Sequence, residues 1–422
     1  MPSLQLWAVH GMLREPSGEP SIIQKDLFIA FFLIFNAFSW YYVSGYIIIE
    51  SLLSILNVAY TYDIIIWTAY YLAIILSSVV GSILSSKISR LKFLYFWMIL
   101  GAVSSPLTAL FSSFTVVHAL LICILLGASF GLGMPSCLAY FADCTLIENR
   151  GKISGITWLV TNLSAPLLMI SFGMFDLKAK SLIFAAWRAS GLIVFFLKPK
   201  ERIVSEIKRK TSFLSILRNK SFAFYFTAWL MLNLIDNFER PILDFIFGNF
   251  QYVVIAPIMG SVFTLIAGRL CDRIGRKRVV LFGFVTVGIA YAIIGIAPAS
   301  LFSWYFFLTT ESVSWAIFYV TFVLILWGDL SLSGNREKYY AIGAAPFFLA
   351  EIAEKLSVPY AKLISVSSAF SLASFFLFLA VLPLLYVPET LPERKIELRR
   401  LRRYVEEAKK FEQKYGKKAA GG

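Results

Sequence analysis

The sequence predicts an all-α polytopic membrane protein with twelve transmembrane helices arranged as two six-helix repeats. Composition, the number of apolar runs and a repeated motif lead to this prediction. Of the 422 residues, 59% are hydrophobic and 15% are charged, and the mean hydropathy is +0.75. A soluble domain of this length would carry more charge and fewer apolar residues, so the composition excludes that class.

Apolar runs of about twenty residues, each long enough to cross a bilayer as a helix, occur twelve times along the chain. Because this number is even, both termini are expected on the same side of the membrane. The predicted spans are 27–48, 63–84, 93–112, 116–140, 153–175, 180–197, 221–242, 249–270, 279–298, 301–327, 341–363 and 366–387.

A repeat at a spacing of 186 residues divides these spans into two halves. At this offset the basic run Lys87–Lys92 falls on Arg273–Arg278, and Asp143-x6-Arg150 falls on Asp329-x6-Arg336. Two independent matches at one spacing indicate an internal duplication. The predicted segments are an N-terminal arm (1–26), a first bundle (27–197), a linker (198–220), a second bundle (221–387) and a tail (388–422).

The basic residues indicate which way the chain crosses the membrane. With a cytoplasmic N-terminus, 33 of the 39 Lys and Arg residues lie in cytoplasmic segments, as the positive-inside rule requires. The basic arm, linker and tail are then cytoplasmic, and the linker forms either an amphipathic surface helix or a flexible connection. The net charge of +14 reflects this topology and an attraction to anionic lipids of the cell membrane, and it is not evidence for nucleic acid.

The residues that usually build catalytic or metal centres are scarce. The four cysteines have no CxxC spacing, and the chain contains only two histidines. We therefore expect no metal site, no cofactor and no catalytic residue, and the protein is not expected to be an enzyme.

A charged hinge at Gly268–Arg278 separates two of the apolar runs. Five of its eleven residues are basic, and Asp272 is the one acid among them. The pattern Gly268-x-Leu270-x-Asp272-Arg273-x-Gly275-Arg276-Lys277 resembles the signature loop of the major facilitator superfamily of secondary transporters. The copy in the first half has Ser86 in place of the acid and Ser89 in place of the glycine.

This resemblance implies a cytoplasmic gate that closes when the two halves rock together. Because the first copy lacks the acid, we expect an asymmetric latch in which Asp272, Arg273 and Arg276 act with Asp329 and Arg336. The residues that the resemblance assigns to the gate are Gly268, Asp272, Arg273, Gly275, Arg276, Asp329 and Arg336, with Asp143, Arg150 and Arg90 as first-half counterparts.

Other motifs concern the branch of the superfamily. The acid-x6-Arg elements are similar to those of sugar porters and organic-ion transporters, and Pro388-Glu389-Thr390 looks like the start of the sugar-porter closing motif. Cys123 stands where many proton-coupled members have arginine. Only Ala165-Pro166 remains of the motif that exporters carry in the fifth helix.

Charged residues inside the predicted spans are candidates for function, because a charge in the bilayer needs a partner or a water-filled cavity. Counted from Ala341, Glu351 lies ~15 Å along the eleventh helix, near the midplane. Glu351 and Lys355 are four residues apart and are either a self-neutralising pair or part of a binding site. Glu354 is then left over for a proton or the solute.

The resemblance places helices 1, 4, 7 and 10 around a central cavity and so adds further candidates. Glu239 and Arg240 are either an ion pair at the outer end of helix 7 or part of the site, and Arg188 in helix 6 has no predicted partner. The remaining candidates for binding the solute or a proton are Glu311, Asp236, Asn233, Asn36 and Trp315.

The function that these features predict is secondary transport of a small polar organic solute by alternating access. The solute is sugar-like or an organic ion such as a carboxylate, and proton-coupled uptake would use Glu351, Glu354 or Glu311. An uncoupled facilitator, a drug or metabolite exporter of the same fold, and a membrane enzyme acting on lipids are the alternatives. A monomer is expected.

Overall fold

A computed structural model describes residues 24–110, 114–199, 211–247, 255–331, 335–361 and 363–391. The predicted N-terminal arm up to residue 23, residues 200–210 of the linker and the tail beyond residue 391 lie outside these ranges. Within the described part of the linker, residues Phe213–Leu217 form a short helix.

Twelve long helices follow one another along the chain, one for each predicted span, and confirm the all-α fold class. They are α1 (Gln24–Leu56), α2 (Tyr60–Leu84), α3 (Arg90–Leu110), α4 (Val116–Asp143), α5 (Arg150–Phe172), α6 (Leu177–Leu197), α7 (Lys220–Phe247), α8 (Ala256–Ile274), α9 (Arg276–Ile296), α10 (Leu301–Leu330), α11 (Arg336–Ser357) and α12 (Val366–Leu385). In the described ranges, nine are long and apolar enough to cross a membrane. The other three, α7, α8 and α11, are comparable in length but carry more polar and charged side chains.

The two six-helix repeats show equivalent internal packing. In the first repeat α2 packs against α4, and α3 packs against α6. In the second repeat the corresponding pairs, α8 with α10 and α9 with α12, are also in contact. Each helix therefore has its counterpart six helices later, in agreement with the repeat found in the sequence.

Two helix pairs, α5 with α8 and α2 with α11, join the halves over much of their length. Between α5 and α8 the contact is backbone on backbone. A Cβ atom added to Gly268 would lie 2.2 Å from the carbonyl oxygen of Gly151, and one added to Gly155 would lie 2.4 Å from that of Thr264. Thr264 also donates its hydroxyl to the carbonyl oxygen of Gly155 at 2.9 Å. Small residues at a four-residue spacing thus permit the close approach.

Several helices are irregular near the middle of the bundle. The α4 helix is interrupted after Gly131, and its second part begins at Met134 with Pro135 in the first turn. Both α1 and α10 contain π-helical segments, at Ser44–Ile49 and Tyr319–Ile325. Such segments occur often at functional sites, because they re-aim the side chains that follow.

Two helix ends differ from the prediction. The α7 helix continues to Phe247, so Asp236 and Arg240 lie inside the helix and not at its end. The α11 helix begins at Arg336, five residues before the apolar run. Glu351 therefore lies ~22 Å from the start of α11 and nearer to its Ser357 end.

We expect Gly268→Ala to destabilise the protein by roughly 1–3 kcal/mol, because the added methyl group would overlap the backbone of α5. Gly45→Ala is the matched control, since no atom lies within 4 Å of a Cβ at that position. Thermal unfolding of the purified variants measures the difference. Equal melting temperatures for the two variants would show that the contact between α5 and α8 tolerates a side chain.

Candidate solute pathway and its gates

Asp272 joins the two halves by capping the start of α5. Its carboxylate accepts hydrogen bonds from the backbone N–H groups of Gly151 at 2.9 Å and Lys152 at 2.7 Å. A carboxylate at a helix N-terminus satisfies unpaired N–H groups and complements the helix dipole. We call this end of the helices the inner end, following the predicted orientation, and the opposite end the outer end.

Two acid–base pairs cross between the halves at the inner end. Arg150 forms an ion pair with Asp329, and Arg336 forms one with Asp143. Each acid of the repeated Asp-x6-Arg element thus pairs with the arginine of the other half. The side chains of Arg150 and Asp329 are at most 1% exposed, so separating them inside the protein would leave both charges without solvent.

Arg276 extends this network from the hinge into the first half. Its Nε lies 3.2 Å from Oδ2 of Asp329, and its guanidinium also donates to the backbone oxygen of Ile147. Nη2 of the same guanidinium lies 3.5 Å from Oδ1 of Asp272. Among the predicted gate residues Arg273 behaves differently, because it is exposed and forms no ion pair with any described residue. Its assignment to the latch is not supported by the structure.

The first half contributes charged contacts to the inner end, although it has Ser86 in place of an acid. Arg90 forms an ion pair with Asp143 and donates from Nε to Glu337 in the second half at 2.8 Å. Ser86, the counterpart of Asp272, donates its hydroxyl to the backbone oxygen of Ile83 in the last turn of α2. Glu337, which follows Arg336 in the first turn of α11, was not singled out from the sequence. The expected asymmetry is thus limited to the Asp272 cap.

Glu389 makes a second helix cap within the second half. Its carboxylate accepts the N–H groups of Arg276 at 2.8 Å and Lys277 at 3.1 Å, the first residues of α9. Gly275 has a φ of 102°, and a Cβ there would lie 2.3 Å from the Glu389 carboxylate. Only glycine fits this turn without strain. The Pro388-Glu389-Thr390 motif therefore fixes the hinge from the tail side.

A cavity lies near the centre of the bundle, between the halves. It is lined by Phe38, Tyr41, Tyr42, Met134, Leu138, Trp158, Trp229, Tyr319, Phe322, Val323, Trp327, Tyr340, Gly343, Ala344, Phe347 and Phe348. Eleven of these sixteen residues are aromatic, and none is charged. The remaining space of about 30 Å³ holds a water molecule or two but no organic solute, so the cavity is contracted in this conformation.

Arg240 is the centre of a charge cluster in the outer half. It lies 3.2 Å from Glu354, 3.6 Å from Glu351 and 3.8 Å from Asp236. Lys355 pairs with the adjacent Glu354 at 3.6 Å. The predicted Glu351–Lys355 pair and the alternative Glu239–Arg240 pair are both absent from the described ion pairs, because Arg240 turns from α7 towards α11 and takes both acids of that helix.

The outer cluster also connects the halves, through aromatic residues of α2. Tyr71 donates its hydroxyl to Glu351 at 3.1 Å, and Tyr60 donates to the backbone oxygen of Lys355. The ammonium group of Lys355 lies 5.1 Å from the centre of the Trp67 ring, a cation–π distance. Contacts between the halves therefore close both ends of the central cavity.

Asp236 links the outer cluster to the cavity wall. It accepts hydrogen bonds from Tyr291 and from Trp315, both at 3.1 Å. The Trp315 ring packs against the rings of Trp229 and Tyr319, which line the cavity. The structure thus brings the predicted residues Asp236 and Trp315 together beside the cavity.

Asn36 and Arg188 occupy a different position, inside the first half. The Arg188 guanidinium donates to Asn36 at 3.2 Å and stacks on Trp97, with Trp40 on another side. Asn36 in turn donates to the backbone oxygen of Trp187. Asn36 is therefore engaged with α6, and it is not among the residues that line the cavity.

Comparison with known proteins supports the fold. No protein-family model matches the sequence, and no curated protein matches it significantly. Among solved structures, the proton:xylose symporter XylE bound to 6-bromo-6-deoxy-D-glucose is similar, with a TM-score of 0.69 and 16% identity over 90% of this chain and 99% of that chain. The human organic anion transporter MFSD10 (TETRAN) matches with a TM-score of 0.69 and 14% identity over 87% of this chain and 100% of that chain.

Both of these proteins are described as transporters, XylE as a member of the major facilitator superfamily, and both align along nearly their entire length. At 14–16% identity the likeness concerns the fold alone. The chain therefore has the major facilitator fold, as the signature loop and the repeat predicted.

We expect Asp272→Asn to weaken the inner closure by about 1–3 kcal/mol, because an amide accepts from one N–H of α5 but presents its own donor to the other. Cys144 and Cys271, buried at this end, report the change. Their alkylation, followed by peptide mass spectrometry, should become roughly tenfold faster or more. Asp176→Asn, which keeps the exposed cap of α6, is the control. Unchanged rates would exclude Asp272 as part of the closure.

Proposed function

We propose that this protein is a secondary transporter that carries a small organic solute across the cell membrane by alternating access. The observation that carries this proposal is a central cavity closed at both ends by contacts between the same two halves. A rocking motion separates α5 from α8 at the inner end while α2 and α11 stay in contact at the outer end, and the opposite motion reverses this. The functions named for XylE and MFSD10 agree with it.

The proposal includes the predicted arrangement in the membrane. Both termini and the basic linker are cytoplasmic, residues 27–197 and 221–387 form the two rocking units, and the protein acts as a monomer. Anionic lipids contact the basic inner surface. In this orientation the ion-pair network closes the cytoplasmic side, and the cluster around Arg240 closes the outer side.

Proton coupling is the finer part of the proposal. Glu351 and Glu354 are paired with Arg240, whereas the charged groups that act on Glu239 are the acids Asp236 and Glu311. A buried acid in such a setting is a candidate to carry a proton through the transport cycle. A facilitator without coupling is the alternative, and it requires that none of these acids gains or loses a proton during the cycle.

The alternating motion can be measured without knowing the solute. Phe347→Cys, in a chain whose four natural cysteines are replaced by alanine, places one thiol in the cavity. We expect a membrane-impermeant methanethiosulfonate to reach it in both right-side-out and inside-out vesicles. Adding Asp272→Asn should accelerate labelling from the inner side and slow it from the outer side, because one conformation gains at the expense of the other.

Two results of this measurement would count against a carrier. Labelling from one side only would indicate a receptor-like protein without passage. Rates that rise together on both sides would indicate a channel, because a channel opens both ends at once.

Coupling is tested by uptake into proteoliposomes of labelled D-xylose, phenylacetate and benzyltrimethylammonium, with and without a pH gradient. For whichever probe is transported, the coupled version requires accumulation above equilibrium that disappears when a protonophore is added. Saturable uptake that ignores the gradient would establish the facilitator instead.

A further inference from the structure

The buried charges in the outer half of the second repeat do not balance. Among the described residues of this region, two basic side chains, Arg240 and Lys355, face four acids that are each at most 7% exposed. The acids are Asp236, Glu239, Glu351 and Glu354. Glu50 and Asp63 of the first half act on Lys355 as well and add to the excess. Buried carboxylates without compensation cost several kcal/mol each, so this region favours additional positive charge, supplied by a proton or by a bound cation.

Glu239 marks where the positive charge is missing. It is 5% exposed, and its Oε2 has no hydrogen-bond partner among the described residues. The charged groups that act on it are Asp236 and Glu311, both acids. A buried acceptor that faces other acids lacks a donor of positive charge.

The neighbouring amides point to the same chemistry. Asn233 and Asn237 are fully buried, and each donates its amide N–H to the backbone one turn earlier on α7. The side-chain oxygens of both residues have no partner in the described part of the chain. Asn233 lies about one turn beyond Trp229 and one turn before Asp236 on α7, so an unfilled acceptor lies between the cavity wall and the acid, whereas Asn237 faces a different side of the helix.

The cavity itself suits a cation with an apolar body. Its lining is mostly aromatic rings, whose faces attract positive charge, and none of its sixteen residues is basic. Asp236 lies ~10 Å beyond Trp229 along α7, and it is held by Trp315, which packs on the cavity residues Trp229 and Tyr319. Trp315 therefore joins the aromatic wall of the cavity to the carboxyl group of Asp236.

We propose that the solute is an organic monocation. Its ammonium group binds at Asp236 and Glu239, and its apolar body lies among the rings of Trp229, Tyr319 and Phe322. This inference rests on the proposed carrier function and names the substrate class of the same cavity. It narrows the sugar-like solute or organic ion that the sequence predicted to a cation, because the excess of acids repels a carboxylate.

Binding to the purified full-length protein tests this inference independently of transport. The probe is benzyltrimethylammonium, a permanent cation, and its comparators are benzyl alcohol, which is neutral, and phenylacetate, which is an anion. We expect the cation alone to raise the melting temperature in a saturable way, since a ligand of the folded state stabilises it. Equilibrium dialysis with the labelled cation gives its affinity.

Two variants locate the binding site. Asp236→Asn and Glu239→Gln should each weaken the affinity for benzyltrimethylammonium by about tenfold or more, because a buried charge partner is lost. The control Asp176→Asn, an exposed cap of α6, should leave the affinity unchanged. Asp236 also holds Tyr291 and Trp315, so Glu239→Gln, which removes no hydrogen bond at Oε2, is the decisive variant if Asp236→Asn does not fold.

The outcomes separate this inference from the proposed function. Saturable binding of phenylacetate in preference to the cation would overturn the inference and direct attention to the guanidinium of Arg188, whose Nε and one terminal nitrogen lack hydrogen bonds. Equal effects of all three probes, or full affinity in Glu239→Gln, would also overturn it. In either case labelling of Phe347→Cys from both sides would leave the carrier function intact.

Discussion

The exchange of acid–base partners between the halves is the interaction on which the closed inner end depends. Asp329 holds Arg150 and Asp143 holds Arg336 across the contact, in addition to the ion pairs that these acids make within their own halves, with Arg276 and Arg90. A buried ion pair contributes little net stability, because desolvation offsets most of the attraction. Separating the two side chains of such a pair inside the protein costs much free energy, because both charges stay buried. Separating them where water can reach both costs far less, because water solvates each charge. The network therefore favours two states, fully closed or fully hydrated, over intermediate ones.

The two ends of the cavity use different chemistry for the same purpose. At the inner end, charged side chains and capped helix termini hold the halves together within a few residues of the surface. At the outer end, Tyr71, Tyr60 and Trp67 contact a charge cluster that belongs almost entirely to the second half. Separating the halves there costs hydrogen bonds of neutral hydroxyls and one cation–π contact, and it leaves Arg240 with its acids. Among the described residues, opening the outer end thus breaks no buried ion pair between the halves, whereas opening the inner end breaks several.

The sequence predicted the spans, the repeat and the inner gate because these depend on local patterns. Apolar runs define bilayer crossings, and the signature loop carries its residues within eleven positions. The pairing itself was not predictable, since Asp143-x6-Arg150 and Asp329-x6-Arg336 have the same spacing whether they pair within a half or between halves. The outer cluster was misread for a related reason: Glu351 and Lys355 are neighbours on one helix, but Arg240 approaches from another. Glu389 became visible as a cap only through the hydrogen bonds that its carboxylate accepts from Arg276 and Lys277, far from it in sequence.

The π-helical segment of α10 has a mechanical consequence. A π-helical hydrogen bond spans one residue more than an α-helical one. The position of this extra residue can shift along the helix, one turn at a time. Each step rotates the side chains it passes by about 100° while the two ends of the helix stay where they are. In α10 the segment Tyr319–Ile325 includes three residues that line the cavity, Tyr319, Phe322 and Val323. A shift of the π segment along α10 would therefore rotate these rings and change the volume of the cavity.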